Sequence, residues 1–383
     1  MRTGTGTPGQ RPGHSTVFAS VLTLLSLLLA ACGQNGSQAS ASPPGVASSP
    51  ATTGPSTGQQ TARPPLSPVV KVTVGSVKTT AEAPLYIAAD RGYFHDEGLD
   101  VSFVDFKTGP DMIAPLGTDQ IDAGAGGISA GLFNAIARGI ALKMAATLGS
   151  TPPGHSTTAF LVRKQLIDSG QVKDFADLRG RKIAVTSLDS TGGYTLDVAL
   201  QKGGLSLKDV QVVSLGFPDQ PGALSTGAID VGLDNEPFVT RSVQQGIAVR
   251  WKGTDDVLPN QQISVLMYAP RFATERSEAA KRFMVAYVRG IRDYVDSLVT
   301  KTAPQPAASQ ILDILASHTG VSRDVLSQIV LGGVDANGRM DERTTRGAYD
   351  WFRQQGYVKT EVNLADVIDN TFVDYADAQL GKR

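Results

Sequence analysis

Two short glycine-rich stretches hold residues suited to meet a ligand. Asp122 to Phe133 reads DAGAGGISAGLF: a short strand runs into Gly126 and Gly127, and a helix then begins near a capping Ser129. Glycines admit close backbone approach, and the first N–H groups of a helix lack partners within it, so they can donate to an anionic or carbonyl oxygen. Ser187 to Gly193, SLDSTGG, repeats the arrangement, with Ser190 or Thr191 capping a helix that continues through Tyr194 to Leu200, and Gly192 and Gly193 beside the cap. Such turns also serve as plain connections, and a serine cap can simply start a helix. If Gly193 borders a ligand, a bulky residue there weakens binding and spares the melting curve of the empty protein.

Thr79 and Thr80 follow the first β-branched run and would project from its carboxyl end. Asn235 and Glu236 follow another run, Val231 to Leu233. Facing a ligand, the Glu236 carboxylate would repel sulfonate or nitrate and accept hydrogen bonds from an amine; on an exposed loop it would do neither. Phe217, Phe238 and Tyr194 offer ring contacts or core packing.

Other chemistries lack their residues. No GxxxxGK[ST] loop, HExxH pair or GxSxG elbow is present, and His14, His95, His155 and His318 are scattered. The single cysteine, Cys32, excludes an intrachain disulfide and a cysteine-based metal or iron–sulfur site. No cofactor is expected.

The elements that must position these residues lie in a chain of 383 residues, long enough for two or three structural units. Its net charge is −1; three of 35 basic residues and none of 36 acidic ones precede position 69, leaving 32 against 36 beyond it, a balance of −4. A general nucleic-acid binder needs a basic surface, so that class is disfavoured.

Residues 1–31 read as an export signal. Arg2 and Arg11 precede an uncharged, leucine-rich run from Val17 to Ala30, shorter than the roughly 18 apolar residues of a membrane span. Leu29-Ala30-Ala31-Cys32 resembles the bacterial lipobox, which predicts lipidation of Cys32. The alternative is ordinary cleavage nearby, with Cys32 a chance thiol. Residues 33–68 are almost all Gly, Ser, Thr, Pro, Ala, Gln and Asn, a composition that predicts a disordered tether with a reach of roughly 30 Å.

From Val69 onward, β-branched runs alternate with helical stretches. Strands are expected at 69–77, 99–106, 123–126, 143–147, 159–163, 182–186, 210–214, 231–233 and 263–269, which implies α/β units with largely parallel pairing. Ligands in that architecture sit beyond the carboxyl ends of strands. Ser277 to Leu298 places Phe283, Tyr287, Ile291, Val295 and Leu298 on one helical stripe.

APLYIAADRGYFHDEGL (83–99), DLRGRKIAVT (177–186), DNEPF (234–238) and IDNTFVDY (368–375) together resemble the solute-binding proteins of ABC importers for nitrate, sulfonate, taurine and thiamine-pyrimidine precursors. The resemblance spans nearly all of residues 69–383. It implies a two-lobed type II periplasmic-binding-protein fold, with residues 69–160 and 262–383 in lobe 1, 161–261 in lobe 2, and crossover strands near 159–163 and 261–269. One glycine-rich turn then falls on each lobe, and a small polar ligand would bridge them by interlobe closure. The implied partners are that small molecule, a membrane permease with separate ATPase subunits, and the membrane itself through Cys32, the protein being an extracytoplasmic monomer. Related fungal pyrimidine synthases share the fold but carry a cysteine-rich iron motif that this sequence lacks. An exported enzyme on the same fold, or a sensor without transport, is the alternative.

Overall fold

The structure, a computed structural model, describes residues 63–340 and 342–383. The signal and Cys32 lie outside the described residues. β1 (Val70–Ser76), β2 (Leu99–Asp105), β3 (Ala123–Gly127), β4 (Lys143–Ser150) and β10 (Gln262–Tyr268) form one sheet, ordered β2-β1-β3-β10-β4. β5 (Thr158–Arg163), β6 (Lys182–Val185), β7 (Gln211–Ser214), β8 (Val231–Asn235) and β9 (Ala248–Gly253) form the other, ordered β7-β6-β8-β5-β9. Each sheet carries helices and builds a lobe.

Pairing differs from the largely parallel expectation. β1 runs parallel to β2 and β3, but β10 is antiparallel to both β3 and β4. In the second sheet β6 is parallel to β7 and β8, while β5 is antiparallel to β8 and β9. The two reversed strands are those that follow a passage from the other lobe, so no βαβ crossover dictates their direction.

The passages also fall elsewhere than expected. β5 lies wholly within the second sheet and β10 wholly within the first, so the chain crosses at 151–157 and 254–261 and no strand spans both lobes. The sequence reading omitted β9, AVRWKG, because its charged residues mask the alternation of a half-buried strand.

The helices that matter here are α1 (Ala83–Asp90), α2 (Ala130–Ala137), α3 (Thr191–Lys202), α4 (Phe238–Gln244), α5 (Ser277–Tyr294), α6 (Ala307–Thr319), α7 (Glu342–Gln354) and α8 (Thr371–Leu380). α5 buries Phe283, Tyr287 and Ile291 as its spacing requires, each such side chain contributing about 1.5–3 kcal/mol. Arg282 is buried as well, paired with Glu97 at 2.8 Å. Among the described residues no helix is long and apolar enough to cross a membrane.

The last residues of the expected tether are docked rather than free. The Arg63 guanidinium pairs with Glu278 at 2.8 Å, Pro64 O accepts from Arg282 at 3.0 Å, and Leu66 N–H donates to Glu97 O at 3.2 Å. Leu66 packs on the first core, an apolar anchor that composition averaging over 33–68 conceals.

Candidate functional site

The turns leaving β1, β3, β6 and β8 all emerge at carboxyl ends of strands and face one another across the lobes, as the α/β rule requires. They border a shared cleft. Thr79, Gly126, Gly127, Ser190, Thr191, Gly192 and Asn235 line it, and so does the ring of Phe217. Thr80, Ser129, Ser187, Gly193 and Glu236 do not.

The glycine-rich turns dock on each other. Ala130 N–H, at the start of α2, donates to Asp189 O at 2.7 Å, and Thr191 N–H, at the start of α3, donates to Ile128 O at 3.0 Å. Ser129 and Ser190 thereby form an antiparallel bridge between lobes. The Thr191 hydroxyl donates to Ile263 O at 3.2 Å, and Gly192 N–H donates to Ser190 Oγ at 3.2 Å. These N–H groups were expected to hold a ligand oxygen; instead they hold the lobes together.

Each residue outside the lining has its own reason. Thr80 N–H donates to Glu236 O at 3.2 Å, another contact between lobes. The Ser187 hydroxyl bonds the Asp189 carboxylate, and Ser187 O accepts from Ser190 Oγ at 2.7 Å. A Cβ at Gly193 would stand 2.0 Å from Leu188 O, so the protein's own loop, not a ligand, demands a glycine there. The same holds at Gly126, where a Cβ would meet Gly109 Cα at 2.9 Å, although this glycine does border the cleft. The expectation that a bulky residue at 193 spares the empty protein is therefore overturned.

Glu236 is neither an exposed loop acid nor a cleft residue. Its carboxylate accepts from Thr240 N–H and the Thr240 hydroxyl, both at 3.0 Å, and from Val330 N–H at 3.2 Å. Burial pushes its pKa up, and those hydrogen bonds oppose the shift. Phe238 and Tyr194 are also absent from the lining; Tyr194 packs against Trp351, ring centroids 5.7 Å apart.

The acid at the cleft is Glu82, which the sequence reading passed over. Its Oε1 accepts from Val77 N–H at 3.0 Å and from the Thr79 N–H and hydroxyl at 3.4 Å; its Oε2 accepts from Tyr86 OH at 2.8 Å and from the Ser76 hydroxyl. It is 1% exposed, and burial raises its pKa from 4.5 to about 7 against the pull of those donors. Thr79-x-x-Glu82 before an apolar run has the spacing of a capping box, the one signal that would have found it. Further hydroxyls missed from the sequence, those of Thr158, Thr186, Thr195, Thr254 and Ser264, also line the cleft. Thr195 sits on α3 just past the 187–193 turn, and the other four come from strands and loops far apart in the chain, so no local motif announces them.

The C-terminal helices α7 and α8 pack on lobe 1, with Tyr349, Phe352 and Phe372 in its core, and the C-terminal region also touches lobe 2. Trp351 Nε1–H, on α7, donates to Asp197 of α3 at 2.7 Å, and Val330 reaches Glu236.

With two lobes and a shared cleft in place, the comparison with known proteins is decisive. The NMT1/THI5 like family profile matches residues 79–297. The chain belongs to that family. It is 24% identical over 305 residues to a putative aliphatic sulfonates-binding protein of Bacillus subtilis, covering 77% of this chain and 85% of that one. It is 27% identical over 183 residues to the 4-amino-5-hydroxymethyl-2-methylpyrimidine phosphate synthase of Aspergillus parasiticus, covering 47% of this chain and 49% of the synthase. Among solved structures, the alkanesulfonate-binding protein of Xanthomonas axonopodis pv. citri, bound to MOPS, superposes with a TM-score of 0.62 at 19% identity, over 78% of this chain and 98% of that one. The fold is thus that of the periplasmic binding proteins, and the family includes both binding proteins and a protein named as an enzyme.

Proposed function

We propose that this protein is the extracytoplasmic solute-binding component of an ABC importer, anchored through a lipidated Cys32, which captures a small organic ligand between its lobes and presents it to a membrane permease with separate ATPase subunits. The observation that carries this reading is a cleft lined from both lobes: Thr79, Gly127 and Ser264 from one, Thr158, Thr191 and Asn235 from the other. A ligand touching both sets stabilises the closed arrangement by its differential affinity for it.

The lining also supports capture without turnover. Its one ionisable side chain is Glu82, and both carboxylate oxygens of Glu82 already accept bonds from the protein. A general acid or base must reach a substrate proton, and Glu82 is occupied. The enzyme reading is favoured by the synthase among the relatives. Incubation with compounds that bind, followed by mass spectrometry of the small molecules, separates the two: recovery unchanged supports capture, and conversion of any one of them refutes it. Mass spectrometry of the membrane fraction is expected to find acylated Cys32; soluble, unmodified protein would remove the anchor from the proposal.

A further inference from the structure

We infer, building on the capture reading, that the ligand is an uncharged organic molecule with an apolar body and at least one hydrogen-bonding group, and that the cleft rejects sulfonate- and nitrate-type anions. Among the described residues, the lining contains no lysine, arginine or histidine. No cation of the neighbouring segments enters the lining: Arg250 Nη2 donates to Ser156 O at 2.8 Å while its Nη1 is buried without a partner, Lys78 pairs with Asp105 at 2.6 Å, and Lys107 lies 3.7 Å from Asp219. An anion in the cleft would meet the Glu82 carboxyl and no opposing charge. Taking an ion out of water without a partner costs several kcal/mol.

Backbone donors at the helix starts are in good part taken. The N–H groups of Ala130, Thr191 and Gly192 are spent on Asp189 O, Ile128 O and Ser190 Oγ. The first N–H group of each helix is thus closed to an anion while the lobes touch.

What the cleft does offer is unmet hydrogen-bonding capacity. Asn235 is 5% exposed, and its amide bonds the Thr158 hydroxyl at 2.8 Å and the Thr157 hydroxyl at 3.2 Å; a hydroxyl both donates and accepts, so either amide atom can face this pair. The other amide atom has no partner in the protein, on a residue that lines the cleft. The Ser264 hydroxyl, also in the lining, is likewise without a partner. A buried polar atom left unmet is costly, and a hydrogen-bonding group on the ligand relieves that cost. Val77, Leu148, Leu233, Ile263 and Phe217 supply the apolar walls.

The test is a thermal-shift and small-angle scattering panel on the full chain: uncharged amides, aminopyrimidines, ureas and aryl alcohols, set beside ethanesulfonate, nitrate and taurine. At least one uncharged compound is expected to raise Tm and reduce the radius of gyration, with ethanesulfonate and nitrate inert at the same concentration. A response to either anion overturns the ligand class and leaves capture standing. No response to any compound in either assay overturns both.

With the strongest uncharged compound, Asn235→Ala is expected to weaken binding tenfold or more, and Ser264→Ala, which removes an atom the fold does not use, a few-fold. Ser264→Ala is read alone where Asn235→Ala fails to fold. Unchanged affinity in the folded Asn235→Ala variant, or in Ser264→Ala where the other variant fails to fold, would refute the assigned contacts.

Discussion

Glu82→Gln should remove a pH dependence of stability that the wild-type protein carries between about pH 5 and 8. The carboxyl is raised from 4.5 to about 7 in the folded state, principally by burial. A carboxyl that holds its proton more tightly when folded stabilises the fold fully below its unfolded pKa, and that stability is lost as pH rises through the folded value. At about 1.36 kcal/mol for each factor of ten in proton affinity, the loss approaches roughly 3 kcal/mol by pH 8. A glutamine reproduces the protonated form: its Oε1 accepts from Val77 and Thr79, while its amide N–H donates to Ser76 Oγ or the Tyr86 oxygen, both of which can accept.

The other groups around this site are Tyr287, electrostatically coupled to Glu82, and Asp105, coupled to Tyr86. His318 stacks on Tyr86 at 4.3 Å between ring centroids and bonds Asp90 at 2.8 Å, so a His318→Gln control separates its contribution to stability from that of Glu82. Denaturant unfolding at several pH values is the assay. Wild type and Glu82→Gln should be closely matched at pH 5, and the variant should be the more stable by roughly 3 kcal/mol at pH 8. A difference that stays flat across this range, or reverses sign, would refute the account of Glu82.

Gly193→Ala should lower the stability of the empty protein by about 1–3 kcal/mol, the cost of forcing an added methyl against Leu188 O, measured by denaturant midpoint; an unaltered midpoint would show that the 187–190 loop yields freely. Glu236→Gln should cost about 1–3 kcal/mol, since an amide cannot accept from Thr240 and Val330 at once, and should leave ligand selectivity unchanged. A change in the preferred ligand would return Glu236 to the cleft. Trp351→Phe removes a donor between α7 and α3 while Asp197 keeps Gln201 at 2.9 Å. It should favour opening, read as a larger radius of gyration and a few-fold weaker binding, and identical scattering and affinity would show that α7 does not restrain the lobes.

Sequence alone determined the α/β class, the two glycine-rich turns and the family, because those rest on local periodicity and on contiguous motifs such as 83–99 and 177–186. It also placed Thr79, Ser190, Thr191 and Asn235 at strand ends, where chain direction decides which end meets the cleft. What each residue does there was a tertiary matter. The turn at 187–193 caps Gly192 N–H with its own Ser190, but the N–H of Thr191 is free when the turn is read in isolation, and only the approach of 128–130 consumes it. Glu236 and Glu82 are both acids beyond buried strands: Glu82 is held by residues 76–86, so its place is written in its neighbours, whereas Glu236 also needs Val330 from a distant segment. A hydrogen bond needs two partners, and between the lobes the second partner is dozens of residues away or more, brought near only when the lobes fold and meet.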